Sequence, residues 1–170
     1  MTKAKAKATA MPWVYDDGGR AAAGFTGTTG DCVCRAIAIA TGDPYAAVYA
    51  ALNQWARIER PRRGRRSSAR TGVKTPTIRR YLHARGWTWT PTVTIGSGCV
   101  VHVRPGEVPM TGRVILSLSK HLTVVVDGVV HDTHDPSRDG FRCVYGYWLP
   151  PSHVGPTTAV TGATRRITLD

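Results

Sequence analysis

Thr28-Thr29-Gly30-Asp31-Cys32-Val33-Cys34-Arg35-Ala36-Ile37-Ala38-Ile39-Ala40-Thr41-Gly42 is the stretch from which the rest of the chain can be read. Asp31 is a good N-cap and Gly42 a good closing residue, and the Ala and Ile positions between them fall on nearly every side of a helix. A helix that is apolar all round is one covered all round by protein, and Arg35 is the only charge it carries. A buried helix beginning at Cys32 is therefore expected. A thiol in the first turn meets free backbone N–H groups and the positive end of the helix dipole, which favour the thiolate, the form that attacks electrophiles. Cys34 stands two residues on, about 200° round at ~3.6 residues per turn, so the two thiols cannot serve one site. Cys32 is the candidate nucleophile, and Cys34 is expected to act as a small buried hydrophobe.

Beyond Gly42, Asp43-Pro44 reads as N-cap and first helical residue of a second helix, with Tyr45, Val48, Tyr49, Leu52, Trp55 and Ala56 recurring at three- and four-residue steps as far as Pro61. Thr75-Pro76 opens a third, carrying Ile78, Tyr81 and Leu82 and closed at Gly86. Strand patterns follow at residues 87–90, 99–103, 113–118, 120–126, 129–134 and 142–148. Helices first and strands afterwards predict an α+β fold, with an N-terminal helical half packed on a C-terminal antiparallel β-sheet. Residues 1–12 are expected as a disordered basic arm and 13–150 as the single domain. Within it, 13–29 reads as a Gly- and Thr-rich approach with a turn at Asp16-Asp17-Gly18-Gly19. Residues 151–170 are expected as a loosely held tail with one short strand at 166–169.

The strongest short signal among the strands is Asp127-Gly128, a two-residue hairpin turn. Counting outward pairs Val126 with Val129, Thr123 with Asp132 and His121 with His134. One face then carries His121, Thr123, Val125, Val130, Asp132 and His134; the other carries Leu122, Val124, Val126, Val129, His131 and Thr133 and is expected to be the core face. His121 and Asp132 become diagonal neighbours at about 7 Å between backbones, within reach of a carboxylate–imidazole hydrogen bond. Asp135 falls on the opposite face. An imidazole held by a carboxylate can take a thiol proton and later deliver it to a leaving group, so Cys32, His121 and Asp132 make a nucleophile, a base and an orienting group.

Composition bounds the partners. At 170 residues and 42% hydrophobic the chain can bury a core, and it has neither an apolar run of membrane-spanning length nor a secretory signal, so a cytoplasmic location is expected. In that reducing compartment Cys32, Cys34, Cys99 and Cys143 are expected as free thiols. No metal and no cofactor is expected, because Cys-x-Cys is one residue short of a zinc knuckle and Cys99 and Cys143 stand alone. The net charge of +12 is concentrated in Lys3, Lys5 and Lys7 and in a block of Arg57, Arg60, Arg62, Arg63, Arg65, Arg66, Arg70 and Lys74, interleaved with Pro61, Gly64, Ser67 and Ser68. The block is expected as a solvated loop. Such an excess suits an acidic partner or nucleic acid, with Trp55, Trp87 and Trp89 as stacking surfaces.

Gly30-Asp31-Cys32 at the start of a buried helix, then Lys120-His121-Leu122-Thr123-Val124-Val125-Val126-Asp127-Gly128, then His131-Asp132-Thr133, resembles the papain-like cysteine peptidase superfamily, particularly its compact phage and bacterial members. The resemblance covers residues 24–148. It implies Cys32 as nucleophile, His121 as base and Asp132 as orienter, between a helical lobe and an antiparallel sheet, with acyl transfer from a peptide or isopeptide amide through a thioester. A phage-encoded member would work in the host cytoplasm. Members usually carry a glutamine six residues before the cysteine that helps hold the oxyanion. Thr26 stands there in this chain, which leaves its hydroxyl or the Cys32 backbone N–H as the oxyanion candidate. The alternative functions are a basic nucleic-acid-binding protein and a catalytically inactive papain-like binding domain.

Overall fold

The computed structural model describes residues 9–60 and 64–151. Nine elements follow one another among the described residues: β1 (Trp13–Tyr15), α1 (Cys32–Thr41), α2 (Tyr45–Arg57), α3 (Thr75–Ala84), β2 (Thr88–Pro91), β3 (Arg113–Leu118), β4 (His121–Val126), β5 (Val129–Asp132) and β6 (Gly146–Leu149). Three helices and one six-stranded sheet of order β1-β5-β4-β3-β6-β2 give the expected α+β class.

The helices start and stop largely where their punctuation placed them. Gly42 closes α1 in the left-handed region, at φ 76, and its N–H reaches the Ala38 carbonyl. Asp31 does occupy the N-cap position of α1, but its side chain makes no cap hydrogen bond. Its carboxylate instead meets Arg20, Arg35 and the Tyr45 hydroxyl. In α2 the cap position falls to Pro44 and the helix begins at Tyr45, one residue later than expected, and it ends at Arg57 rather than running to Pro61.

The sheet departs from expectation in three ways. It is mixed, not antiparallel: β1, inside the segment taken for a Gly- and Thr-rich approach, runs parallel to β5 with Tyr15 opposite Asp132. This strand also corrects the disordered-arm expectation for residues 9–12, since Met11 is 2% exposed in the core and the Pro12 carbonyl accepts the Val130 N–H. Residues 99–103 form no strand, only an isolated bridge between His102 and Cys143. Finally, both faces of the sheet are buried. Ile115, Leu122, Val124 and Trp148 pack against the helices, while Val114, Leu116, Leu118, Val125 and Val130 pack on the reverse face against Met11, Val103, Val108 and Val144. The physical reason is in β3 itself, where Val114-Ile115-Leu116 is apolar at both parities, so no face is left for water.

Cys99 and Cys143 are joined in a disulfide, their Cα atoms 5.9 Å apart. The expectation of four free thiols, drawn from a reducing compartment, is thereby corrected to two, Cys32 and Cys34. Among the described residues no helix is long and apolar enough to cross a membrane. Residues 1–8, Arg62 and Arg63, and the tail from 152 onward, with the strand expected at 166–169, lie outside the described residues.

Candidate active site

Cys32 is the first residue of α1, at the helix end whose leading N–H groups have no partner within the helix. The loop that delivers it is seated against the far end of the Arg-rich segment: the Gly30 N–H donates to the Arg70 carbonyl at 3.0 Å, and a Cβ at Gly30 would stand 3.2 Å from the Thr71 carbonyl oxygen. That segment is fixed in turn. Ser68 and Gly72 exchange backbone hydrogen bonds, Asn53 accepts the Ala69 N–H, Glu59 accepts the Ser67 N–H, and the Ser67 hydroxyl accepts the Lys74 N–H. Ser67 and Ala69 are buried. The view of the whole basic block as a solvated loop is corrected accordingly: Arg65, Arg66, Arg70 and Lys74 are exposed, but they ride on a turn that walls the site.

His121 opens β4, and the hairpin brings it to Asp132 at the end of β5. The observed register, Val126 opposite Val129, Val125 opposite Val130 and Val124 opposite His131, is the one that a two-residue Asp127-Gly128 turn requires. Both turn residues have positive φ, 45 and 83. The His121 Nε2 lies 2.6 Å from the Asp132 Oδ2, leaving Nδ1 as the ring nitrogen free for the sulfur. Asp135, the alternative carboxylate, is exposed and accepts the Ser137 N–H in its own loop.

The protonation states follow from these contacts. Burial pushes the Cys32 thiol up, but interaction with the His121 imidazole, the Leu122 backbone N–H, the His121 charge and Arg35 together outweigh it, and the thiol is held below its ordinary value. Burial pulls His121 down, yet Asp132 and the Cys32 sulfur raise it to about 9. Asp132 is pushed up by burial and brought below 3.8 chiefly by His121, with Thr123 and the Thr133 N–H contributing. These shifts favour a thiolate beside an imidazolium. Cys34 shows the contrast: fully buried, with its S–H on the Tyr45 carbonyl, it is pushed up to about 12, mainly by burial.

Two residues that sequence reasoning passed over complete the set. Arg35 spans the gap between helix and hairpin: its Nε lies 3.1 Å from the Asp31 carboxylate, while its terminal nitrogen donates to Asp132 at 3.3 Å and to the Thr133 hydroxyl at 2.6 Å. The signal was present, since a lone charge on an otherwise apolar buried helix must find a counter-charge. Asp31, held below 3.8 because Tyr45, Thr29, Arg35 and Arg20 outweigh its burial, anchors the other end. Thr26, by contrast, is exposed and does not line the cleft; its carbonyl accepts a hydrogen bond from Arg20. Thr29 and Gly30 line the cleft in its place, next to the Cys32 backbone N–H.

The cleft runs between the α1 N-terminus, the 71–75 segment and α3 on one side, and the β3–β4 end with Trp89 and Trp148 on the other. His134, 61% exposed, stands at its rim with its ring centroid 5.2 Å from that of His121. Among the described residues no group of three or more His, Cys, Asp or Glu could hold a metal ion. No family model matches the chain, and neither a curated protein nor a solved structure matches it.

Proposed function

We propose that this chain is a cysteine hydrolase of the papain-like kind, cleaving a peptide or isopeptide amide through a thioester. The observation that carries the reading is the convergence, from three elements, of Cys32 at a helix N-terminus, His121 and Asp132, with the thiol lowered and the imidazole raised. The helices on one side of the cleft and the sheet on the other agree with a papain-like arrangement.

In the first half-reaction the Cys32 thiolate attacks the amide carbonyl and a C–S bond forms. The negative charge passes to the carbonyl oxygen, where the unpartnered backbone N–H groups at the start of α1, that of Cys32 among them, are the donors available. His121 then gives its proton to the leaving nitrogen and the C–N bond breaks. In the second half-reaction His121 takes a proton from water, hydroxide adds to the thioester, and the C–S bond breaks to release a carboxylic acid and restore the thiolate. Asp132 keeps the imidazole ring oriented and stabilises its cationic form, and Arg35 and Thr133 hold Asp132 in place.

Intact-mass analysis after brief iodoacetamide treatment at mildly acidic pH tests the reading. One adduct is expected, on Cys32, and it should be absent from Cys32→Ala and present in Cys34→Ala. Labelling of Cys34 first, or a Cys32 no faster than a free thiol at that pH, would overturn it.

A further inference from the structure

The cleft beside Cys32 carries positive charge that the triad does not use. None of the residues lining it is Asp or Glu, while Arg35, Arg79 and Lys120 all face it. Arg35 is committed to Asp31, Asp132 and Thr133. Arg79 and Lys120 have no carboxylate partner among the described residues, whereas Asp16, Asp31, Asp43, Glu107 and Asp132 are each ion-paired elsewhere.

Both are set in place. The Arg79 guanidinium lies over the Trp89 ring, 5.5 Å from its centroid, and that ring is itself fixed, since a Cβ at Gly146 on the neighbouring strand would collide with it. A guanidinium stacked on an indole keeps its N–H edge for a planar anion. Lys120 occupies the tight turn between β3 and β4, immediately before His121, with φ 55. This left-handed conformation suits Gly or Asn and costs a long side chain roughly 1 kcal/mol, so Lys is a poor choice for the turn and a reasonable one for its ammonium. The two charges line the cleft from different elements, Arg79 from α3 and Lys120 from the β3–β4 turn, with Trp148 also in the lining.

We infer that the substrate is an acidic peptide, with carboxylates next to the scissile amide received by Arg79 on one side and Lys120 on the other. The inference rests on the cysteine-hydrolase reading and supplies its substrate class.

The test uses three bromoacetyl dipeptide amides that differ only in charge: Glu-Glu, Gln-Gln and Lys-Lys. The Cys32 thiolate displaces bromide, a C–S bond forms, and the C–Br electron pair leaves as bromide ion. At low salt the Glu-Glu probe should alkylate Cys32 about tenfold faster than the Gln-Gln probe, with Lys-Lys slowest, and the preference should shrink as salt screens the charges. Arg79→Gln and Lys120→Gly should each reduce the Glu-Glu to Gln-Gln ratio severalfold. Arg113→Gln, which removes a charge at the opposite end of β3, should leave that ratio alone. Lys120→Gly also separates function from fold, because glycine relieves the turn and the thermal midpoint should hold or rise while the ratio falls. A ratio near one in the parent protein, or a ratio unchanged in both variants while Gln-Gln still labels Cys32, overturns the acidic-substrate inference alone. If neither the probes nor iodoacetamide label Cys32, the hydrolase reading fails and the inference fails with it.

Discussion

Replacing Asp132 by Asn keeps shape and volume at the end of β5 and removes one charge. The amide oxygen can still accept the Thr133 N–H and an Arg35 donor, as the carboxylate does, but the group facing the His121 Nε2 becomes an amide that cannot stabilise an imidazolium. A hydrogen bond to a charged group contributes about 1.5–3 kcal/mol, and one pKa unit is about 1.4 kcal/mol, so His121 should fall by about 1–2 units from its native value near 9. The ratio of thiolate–imidazolium pair to neutral thiol and imidazole then drops by roughly 10- to 100-fold, and alkylation of Cys32 by iodoacetamide at pH 7 should slow by up to that factor. The gap should close at alkaline pH, where the thiol ionises without help. The assay is the second-order rate against pH, with a thermal melt to confirm folding. Asp135→Asn, altering a carboxylate occupied in its own loop, should stay within about twofold of the parent. An Asp132→Asn protein that folds and reacts within twofold of the parent at pH 7 refutes the role given to this carboxylate.

Acid should unfold the protein partly through Asp31 and Asp132. Both are held below 3.8 in the fold, so their stabilisation is fully present above that unfolded value and is lost as pH falls through their native values. Thermal midpoints should therefore fall between about pH 4 and pH 2, with a shallower slope in Asp132→Asn; an unchanged slope would contradict the shift. Cleaving the Cys99–Cys143 bond, which closes a loop of 44 residues, should cost up to about 4 kcal/mol on chain entropy, read as a lower denaturant midpoint for Cys99→Ser in parallel with Cys143→Ser. If polyanions bind the basic turn, Arg65→Ser, Arg66→Ser and Arg70→Ser combined should weaken heparin retention and flatten its salt dependence with little change in the melt, because all three side chains are exposed. A collapsed melt would show that these arginines support the turn.

Local chemistry was legible where it was strong. Gly42, the Thr75-Pro76 start and Asp127-Gly128 mark their boundaries through backbone restrictions that act within a few residues, and the hairpin count carried His121 to Asp132 for that reason. What stayed hidden depends on distant partners. Trp13–Tyr15 is three residues long and half exposed, and only its parallel ladder to β5 makes it a strand. The reverse-face core needs Val103, Val108 and Val144 from irregular segments, which no periodicity announces. The Cys99–Cys143 bond joins residues with no spacing rule between them, and Thr26 fails as an oxyanion candidate because the loop before α1 turns it toward Arg20 and water.

The Arg35–Asp132 contact joins residues 97 apart in the chain, and the groups it connects lie on parts that assemble on very different clocks. The β4–β5 hairpin can close by itself in microseconds, so His121 and Asp132 can meet early. Cys32 becomes acidic only when α1 docks against β4 and brings the sulfur to His121 and the Leu122 backbone, a contact of high sequence separation that comes slowly. The sulfur is thus a built-in reporter on the joining of helix and hairpin. In a refolding chain, the rise of its reactivity at mildly acidic pH times the docking of α1 on the hairpin, and it should lag behind any signal from the β4–β5 hairpin alone.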